Sequence, residues 1–96
     1  MKFEWDKKKS LENKVKHGID FDTARGLWND DNRVEVQAPY PLEERHVLIG
    51  MLDTKIWTAI FTWRGDAVRI ISVRRSRKKE VMLYEEKESG KKHGRI

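Results

Sequence analysis

Val34 and Val36 alternate with polar neighbours across RVEVQ (33 to 37), and three further β-rich tracts follow, HVLIGML (46 to 52), IWTAIFTW (56 to 63) and AVRIISVR (67 to 74), the last being the longest uninterrupted one. An extended chain places successive side chains on opposite faces, and four strands are expected. The last three are joined only by short polar turns, DTK and RGD, which predicts an antiparallel meander. Along the middle strand Trp57, Ala59, Phe61 and Trp63 share one face, while Ile56, Thr58, Ile60 and Thr62 share the other. Both faces carry groups to bury: helices are expected on one, and a partner or ligand on the other.

Helical spacing takes over on either side of the strands. KFEW (2 to 5) is too short to stand alone as a strand, but Phe3 and Trp5 lie on one side and can pack an edge against the core. Asp6 is placed to cap a helix over KKKSLENKVKH, with Leu11 and Val15 four apart on one face and Gly18 ending it in the left-handed conformation. Its first-turn lysines, Lys7, Lys8 and Lys9, oppose the helix dipole and have no local structural reason. Asp20 starts a second helix, in which Ile19 staples against Ala24 and Phe21, Ala24, Leu27 and Trp28 form one stripe through to about Asn29. NDDN (29 to 32) is a turn, and APYPLEE is a loop displaying Tyr40 between Pro39 and Pro41. Ser76 can cap a third helix over KKEVMLYEEK, with Val81 and Tyr84 inward. From Glu88 the sequence has no periodicity and is expected to be disordered, which leaves residues 1–87 as one domain and 88–96 as a basic tail. The predicted order is strand, helix, helix, four strands, helix: an α+β fold.

Charge singles out one part of this frame. Residues 64 to 79 hold seven Lys/Arg against Asp66, a balance of +6, while the whole chain of 96 residues carries a formal +5; everything else therefore sums to −1. Positive charge so concentrated points to an anionic ligand. Four Trp, three Phe and two Tyr argue against disorder in a chain with 39% charged residues. No cysteine is present and His17, His46 and His93 are scattered, so neither a disulfide framework, a metal centre nor a cofactor site is expected. The N-terminal MKFEWDKKK lacks the apolar segment of a secretion signal, and no apolar run approaches the roughly 20 residues of a membrane helix. A cytoplasmic protein is expected.

Several short motifs occur in a telling order: FEWD at the start, KHGIDF with Ala24 behind it, EER before a strand that ends in IG, the RIIS core, and then Glu80 and Tyr84. Together, over about residues 3 to 86, they resemble the BrnT family of toxins from bacterial type II toxin-antitoxin systems. Val73 and Ser76 stand where alanine is common in that family, and the segment with Arg75, Arg77, Lys78 and Lys79 is unusually basic. The resemblance implies a RelE-like fold, here an antiparallel sheet of four to five strands with two N-terminal helices and one C-terminal helix. It also implies a metal-independent ribonuclease that inhibits translation and is neutralised by a BrnA-type antitoxin, expected as a heterotetramer that binds operator DNA through the antitoxin.

The residues suit that chemistry. Metal-free RNA cleavage needs a base for the 2′-hydroxyl, fixed cations for the phosphorane and an acid for the leaving 5′-oxygen, giving 2′,3′-cyclic phosphate and 5′-hydroxyl ends. Arg64, Arg69, Arg74 and Arg75 are the candidate phosphate ligands, since a guanidinium meets two phosphate oxygens at once. Glu44 or Glu80 is a candidate base, His17 a candidate base or acid, and Tyr84 a candidate orienting group or donor. Lys16, Arg75, Arg77, Lys78 and Lys79 are candidate RNA contacts. On a regular strand Arg69 and Arg74, five apart, project to opposite faces, so one cleft holds both only if a bulge intervenes or the strand has ended. Either Arg69 with Arg75, six apart and on one face, or Arg74 with the cations at the helix start forms the anion site; the second is favoured, because Ser76 and the free N–H groups of the third helix would make a phosphate seat beside Arg74 and Arg75. Structural roles compete: Arg69 paired across the sheet, His17 satisfied by a carbonyl at a helix end, Glu80 in a surface salt bridge, Tyr84 in the core, and Glu43, Glu44 and Arg45 in a solvated loop end.

Overall fold

The computed structural model describes residues 1–38 and 44–93, with side chains through Glu88. The display of Tyr40 between two prolines, Glu43, and the end of the tail lie outside the described residues. In order, the elements are β1 (Lys2–Glu4), α1 (Lys7–His17), α2 (Phe21–Ala24), a 3-10 segment (Arg25–Asn29), β2 (Val34–Ala38), β3 (Arg45–Leu52), β4 (Lys55–Arg64), β5 (Ala67–Arg75) and α3 (Lys78–His93). α3 thus runs past Glu88, where the loss of periodicity predicts disorder.

Five strands form one sheet in the order β1-β5-β4-β3-β2. From β2 to β5 it is the expected antiparallel meander. The sheet as a whole is mixed, however, because β1 runs parallel to β5, with Lys2 opposite Ala67 and Glu4 opposite Arg69. Direction at an edge is set by the path of the chain through the intervening helices, to which a three-residue strand carries no local signal.

One face of the sheet carries the main core. Leu48, Trp57, Ala59, Phe61, Val68, Ile70 and Val73 pack there against Ile19, Phe21, Ala24, Leu27 and Trp28. Phe3 reaches in from β1, edge-on to Trp28 at 5.2 Å between centroids, and Trp28 stands edge-on to Phe61 at 5.3 Å. Asp20 caps α2 as expected, accepting from the Thr23 N–H at 2.8 Å. The second helix is nevertheless a single α-turn that tightens into the 3-10 segment, where a full helix to Asn29 is predicted. Tightening brings the segment close to β3: a Cβ on Gly26 would lie 2.7 Å from Leu52 Cδ1, and one on Gly50 would lie 3.3 Å from the Leu27 carbonyl.

α1 is turned the other way round from its apolar pattern. Asp6 caps it, accepting from the Lys9 N–H at 3.0 Å, and Gly18 ends it at φ 83°. Yet Leu11 is 64% and Val15 89% exposed, while Ser10 and Asn13 are buried. Polar anchoring outweighs the weak apolar pair. Ser10 Oγ accepts the Phe21 N–H at 2.9 Å. Asn13 donates to the carbonyls of Ile19 and Val73 at 2.8 and 2.9 Å and accepts the Val73 N–H at 3.2 Å. Val73 lies beyond the residues that β1 pairs, so the asparagine amide substitutes for a neighbouring strand at that edge.

α3 lies on the opposite face, over β2 and β3. Ile49 and Tyr84 are buried on that side. The Tyr84 hydroxyl donates to Asp30 Oδ2 at 2.7 Å, and Lys87 donates to the Arg33 carbonyl, so two bonds tie the helix to the segment entering β2.

Candidate functional site

Beside α3 the same sheet face stays partly open, and this is where the arginines gather. Ile60 pairs with Ser72 but Phe61 pairs with Ile70, a register shift that leaves Ile71 as the extra residue of a bulge in β5. Arg69 therefore stands opposite Thr62 and Arg74 opposite Thr58, residues four apart on β4 and so on one face. The bulge reconciles the spacing of five with a shared surface. Along the strand the two are still roughly 13 Å apart, so they are suited to separate phosphates.

At one end, β1 delivers Glu4 between two arginines. Arg69 Nη1 lies 2.9 Å from Glu4 Oε2, and Arg64 Nη1 lies 3.9 Å from the same oxygen. Parallel pairing of Glu4 with Arg69 makes this cluster, which is why the sequence, where the two stand 65 positions apart, does not reveal Glu4. Glu44 is exposed nearby, its carbonyl accepting from Thr62 Oγ1 at 2.8 Å. Arg64 is exposed and Arg69 partly so, leaving guanidinium N–H groups available on the open surface.

At the other end, Glu80 occupies the expected phosphate seat. Its carboxylate meets Arg74 twice, Nη1 to Oε1 and Nη2 to Oε2, both at 2.8 Å. Oε1 also accepts from Thr58 Oγ1 at 3.0 Å and from the Arg77 N–H at 2.7 Å, the reciprocal glutamate contact of a helix capping box. Ser76 does not cap α3; its hydroxyl bonds Thr58 Oγ1 at 2.7 Å. Arg74 holds the Glu80 carboxyl down to about 2, the Arg77 and Thr58 bonds adding to the effect against the cost of burial. Glu80 in turn raises the pKa of Arg74. A carboxylate so stabilised accepts a proton poorly at neutral pH.

Other predicted residues separate into distinct places. Tyr84 is buried, and burial followed by the Asp30 bond pushes its pKa well above the ordinary phenol value, so it is a poor proton donor where it stands. The Arg75 guanidinium lies 5.4 Å from the Trp57 ring centroid and donates to the Ile56 carbonyl. Arg77, Lys78 and Lys79 are exposed around the start of α3. His17 and Lys16 line a groove of about 270 Å³ with Lys9, Ile71 and Ser72, between α1 and the edge of β5. Thr58 and Asp30 escaped sequence reading because each acts through partners distant in the chain: Thr58 through Ser76 and Glu80, Asp30 through Met51 and Tyr84. Among the described residues no three His, Asp or Glu side chains are grouped so as to hold a metal ion, and no helix is long and apolar enough to cross a membrane.

Comparison with known proteins finds no curated protein that matches the chain. One family model does match, described as the ribonuclease toxin BrnT of type II toxin-antitoxin systems, over residues 5–80. That span runs from Trp5 to Glu80; it takes in β2 to β5 and the arginines of the open face, and leaves out β1 with Glu4. The chain belongs to the BrnT family of type II ribonuclease toxins.

Proposed function

We propose that this toxin cleaves RNA internally without a metal ion, at the Arg64 and Arg69 end of the open sheet face. The bulge in β5 carries the proposal, because it turns Arg69 and Arg74 to one accessible surface. Arg69, with Arg64, grips the scissile phosphate and offsets the charge of the phosphorane. Glu44, the exposed carboxylate on that side, takes the proton of the attacking 2′-hydroxyl, and the departing 5′-oxygen is protonated as its bond to phosphorus breaks. Arg74 positions a neighbouring stretch of strand, and Glu80 and Tyr84 serve as supports for α3. Neutralisation falls to a BrnA-type antitoxin in a heterotetramer, which binds operator DNA through the antitoxin, and the activity belongs to the cytoplasm, where it arrests translation.

A second reading, a member that binds nucleic acid or an antitoxin without cutting, is favoured by one observation: Arg69 and Arg74 each already have a carboxylate partner. Induced expression separates the two. On the catalytic reading, wild type arrests growth and degrades RNA, while Arg69→Ala is folded by circular dichroism and does neither. RNA binding without cleavage by wild type selects the second reading.

A further inference from the structure

Lys9, Glu12, Asn13, Lys16 and His17 follow the spacing i, i+3, i+4, i+7 and i+8, which is one stripe of a helix. In α1 that stripe faces the edge of β5 and lines the groove of about 270 Å³ completed by Ile71 and Ser72. An amphipathic helix ordinarily turns its apolar residues to such a place. Here Leu11 and Val15 are left in solvent and the buried Asn13 holds the opposite orientation. The outcome is a groove with two ammonium groups and an imidazole against one carboxylate. It also gives Lys9 a setting, whereas Lys7 and Lys8 of the same first turn do not line it.

β1 pairs β5 only through Arg69, and Asn13 occupies the edge at Val73, so the groove sits in the gap between them. Ser72, which by register shares the face of Arg69 and Arg74, also lines the groove. The basic stripe therefore opens onto the arginine-bearing face around the edge of the strand. Lys9 and Lys16 are two turns apart, roughly 10 Å along α1, which spreads their charge over more than one phosphate. Two ammonium groups at that spacing along one open groove suit the backbone of an extended single strand.

We infer that the α1–β5 groove is a second RNA-binding subsite, in which Lys9 and Lys16 hold the phosphodiester backbone of a single strand as it leaves the open face at Ser72. This rests on the ribonuclease reading, and its test keeps the two apart. The probe is a mixed-sequence 2′-O-methyl RNA oligonucleotide, which lacks the attacking hydroxyl and so reports binding alone. Affinity is measured by fluorescence anisotropy across a salt series for wild type, Lys9→Ala/Lys16→Ala, and the control Lys7→Ala/Lys8→Ala. Without the two ammonium groups that pair with phosphates, the groove variant is expected to bind at least ten-fold more weakly and to lower the salt slope by about 1.4, at about 0.7 per phosphate of a single strand. The control, with the same change in charge, is expected to differ little from wild type. Equal effects in both variants overturn the inference, as does unchanged RNA binding in the groove variant, including a variant that weakens only its hold on the antitoxin. If wild type neither binds the probe nor cleaves unmodified RNA, the ribonuclease reading fails and the subsite falls with it; if wild type does both and the groove variant matches it, the subsite alone fails.

Discussion

Replacing Glu80 by glutamine tests whether the fork at the start of α3 is a structural joint. The amide keeps one carbonyl oxygen, able to retain the bonds from Thr58 and Arg77, but sets an NH2 group where Oε2 now lies 2.8 Å from Arg74 Nη2. Two donors then face each other and the charge that balances Arg74 is gone. The carboxyl sits at about 2 against an ordinary 4.5, a difference that corresponds to about 3 kcal/mol in favour of the ionised form. Solvent reaches both partners, whose side chains are 20% and 18% exposed, and screening reduces the expected loss to about 2 kcal/mol. For a domain of this size that lowers the melting temperature by about 10 °C. Because the folded pKa is depressed, this stability is present in full above about pH 4.5 and is lost as the pH falls towards 2. Urea unfolding of both proteins from pH 7 to pH 2.5 checks both claims: the gap between them is about 2 kcal/mol at pH 7 and narrows on acidification. A gap below about 0.5 kcal/mol at pH 7, or one that does not narrow, refutes the reasoning.

Asn13→Leu leaves the Val73 N–H and the carbonyls of Val73 and Ile19 without the partners they now have; a loss of about 3 kcal/mol is expected, with faster hydrogen exchange at Val73. Tyr84→Phe removes the bond to Asp30 and is expected to cost about 1 kcal/mol while leaving growth arrest intact; a folded variant that no longer arrests growth would give the hydroxyl a direct part in cleavage. Gly50→Val places side-chain atoms against the Leu27 carbonyl, 3.3 Å from the position of a Cβ, and is expected to cost about 1 to 3 kcal/mol in urea unfolding with β2 to β5 still formed.

The strands were legible because their β-rich tracts are local and their turns are short, and the shared face of Trp57, Ala59 and Phe61 was read from spacing alone; which of the two faces the helices cover was left open, and the structure makes that row the core. Trp63, on the same row, stands at the end of the sheet and is 46% exposed. Caps at Asp6 and Asp20 were legible for the same local reason. What failed to show depended on contacts across the chain. Leu11 and Val15 suggest an inward face for α1, yet the hydrogen-bonding needs of Val73, about sixty residues away, decide its orientation. The parallel β1 and the pairing of Glu4 with Arg69 join the two ends of the domain core. At the candidate site the concentration of arginine was visible and its division was not. Only the shift between Ile60 and Phe61 shows that Arg69 and Arg74 share a face, and only the fold shows Glu80 in the seat that helix-end chemistry offered to phosphate.

The chemistry of the RNA ends tests the central claim most directly. Purified toxin, freed of its antitoxin and incubated with RNA in excess chelator, is predicted to leave 2′,3′-cyclic phosphate and 5′-hydroxyl ends, and Arg69→Ala to leave the RNA intact. Products ending in 3′-hydroxyl groups, formed only when Mg²⁺ is added, or full cleavage by the folded Arg69→Ala variant, would contradict it.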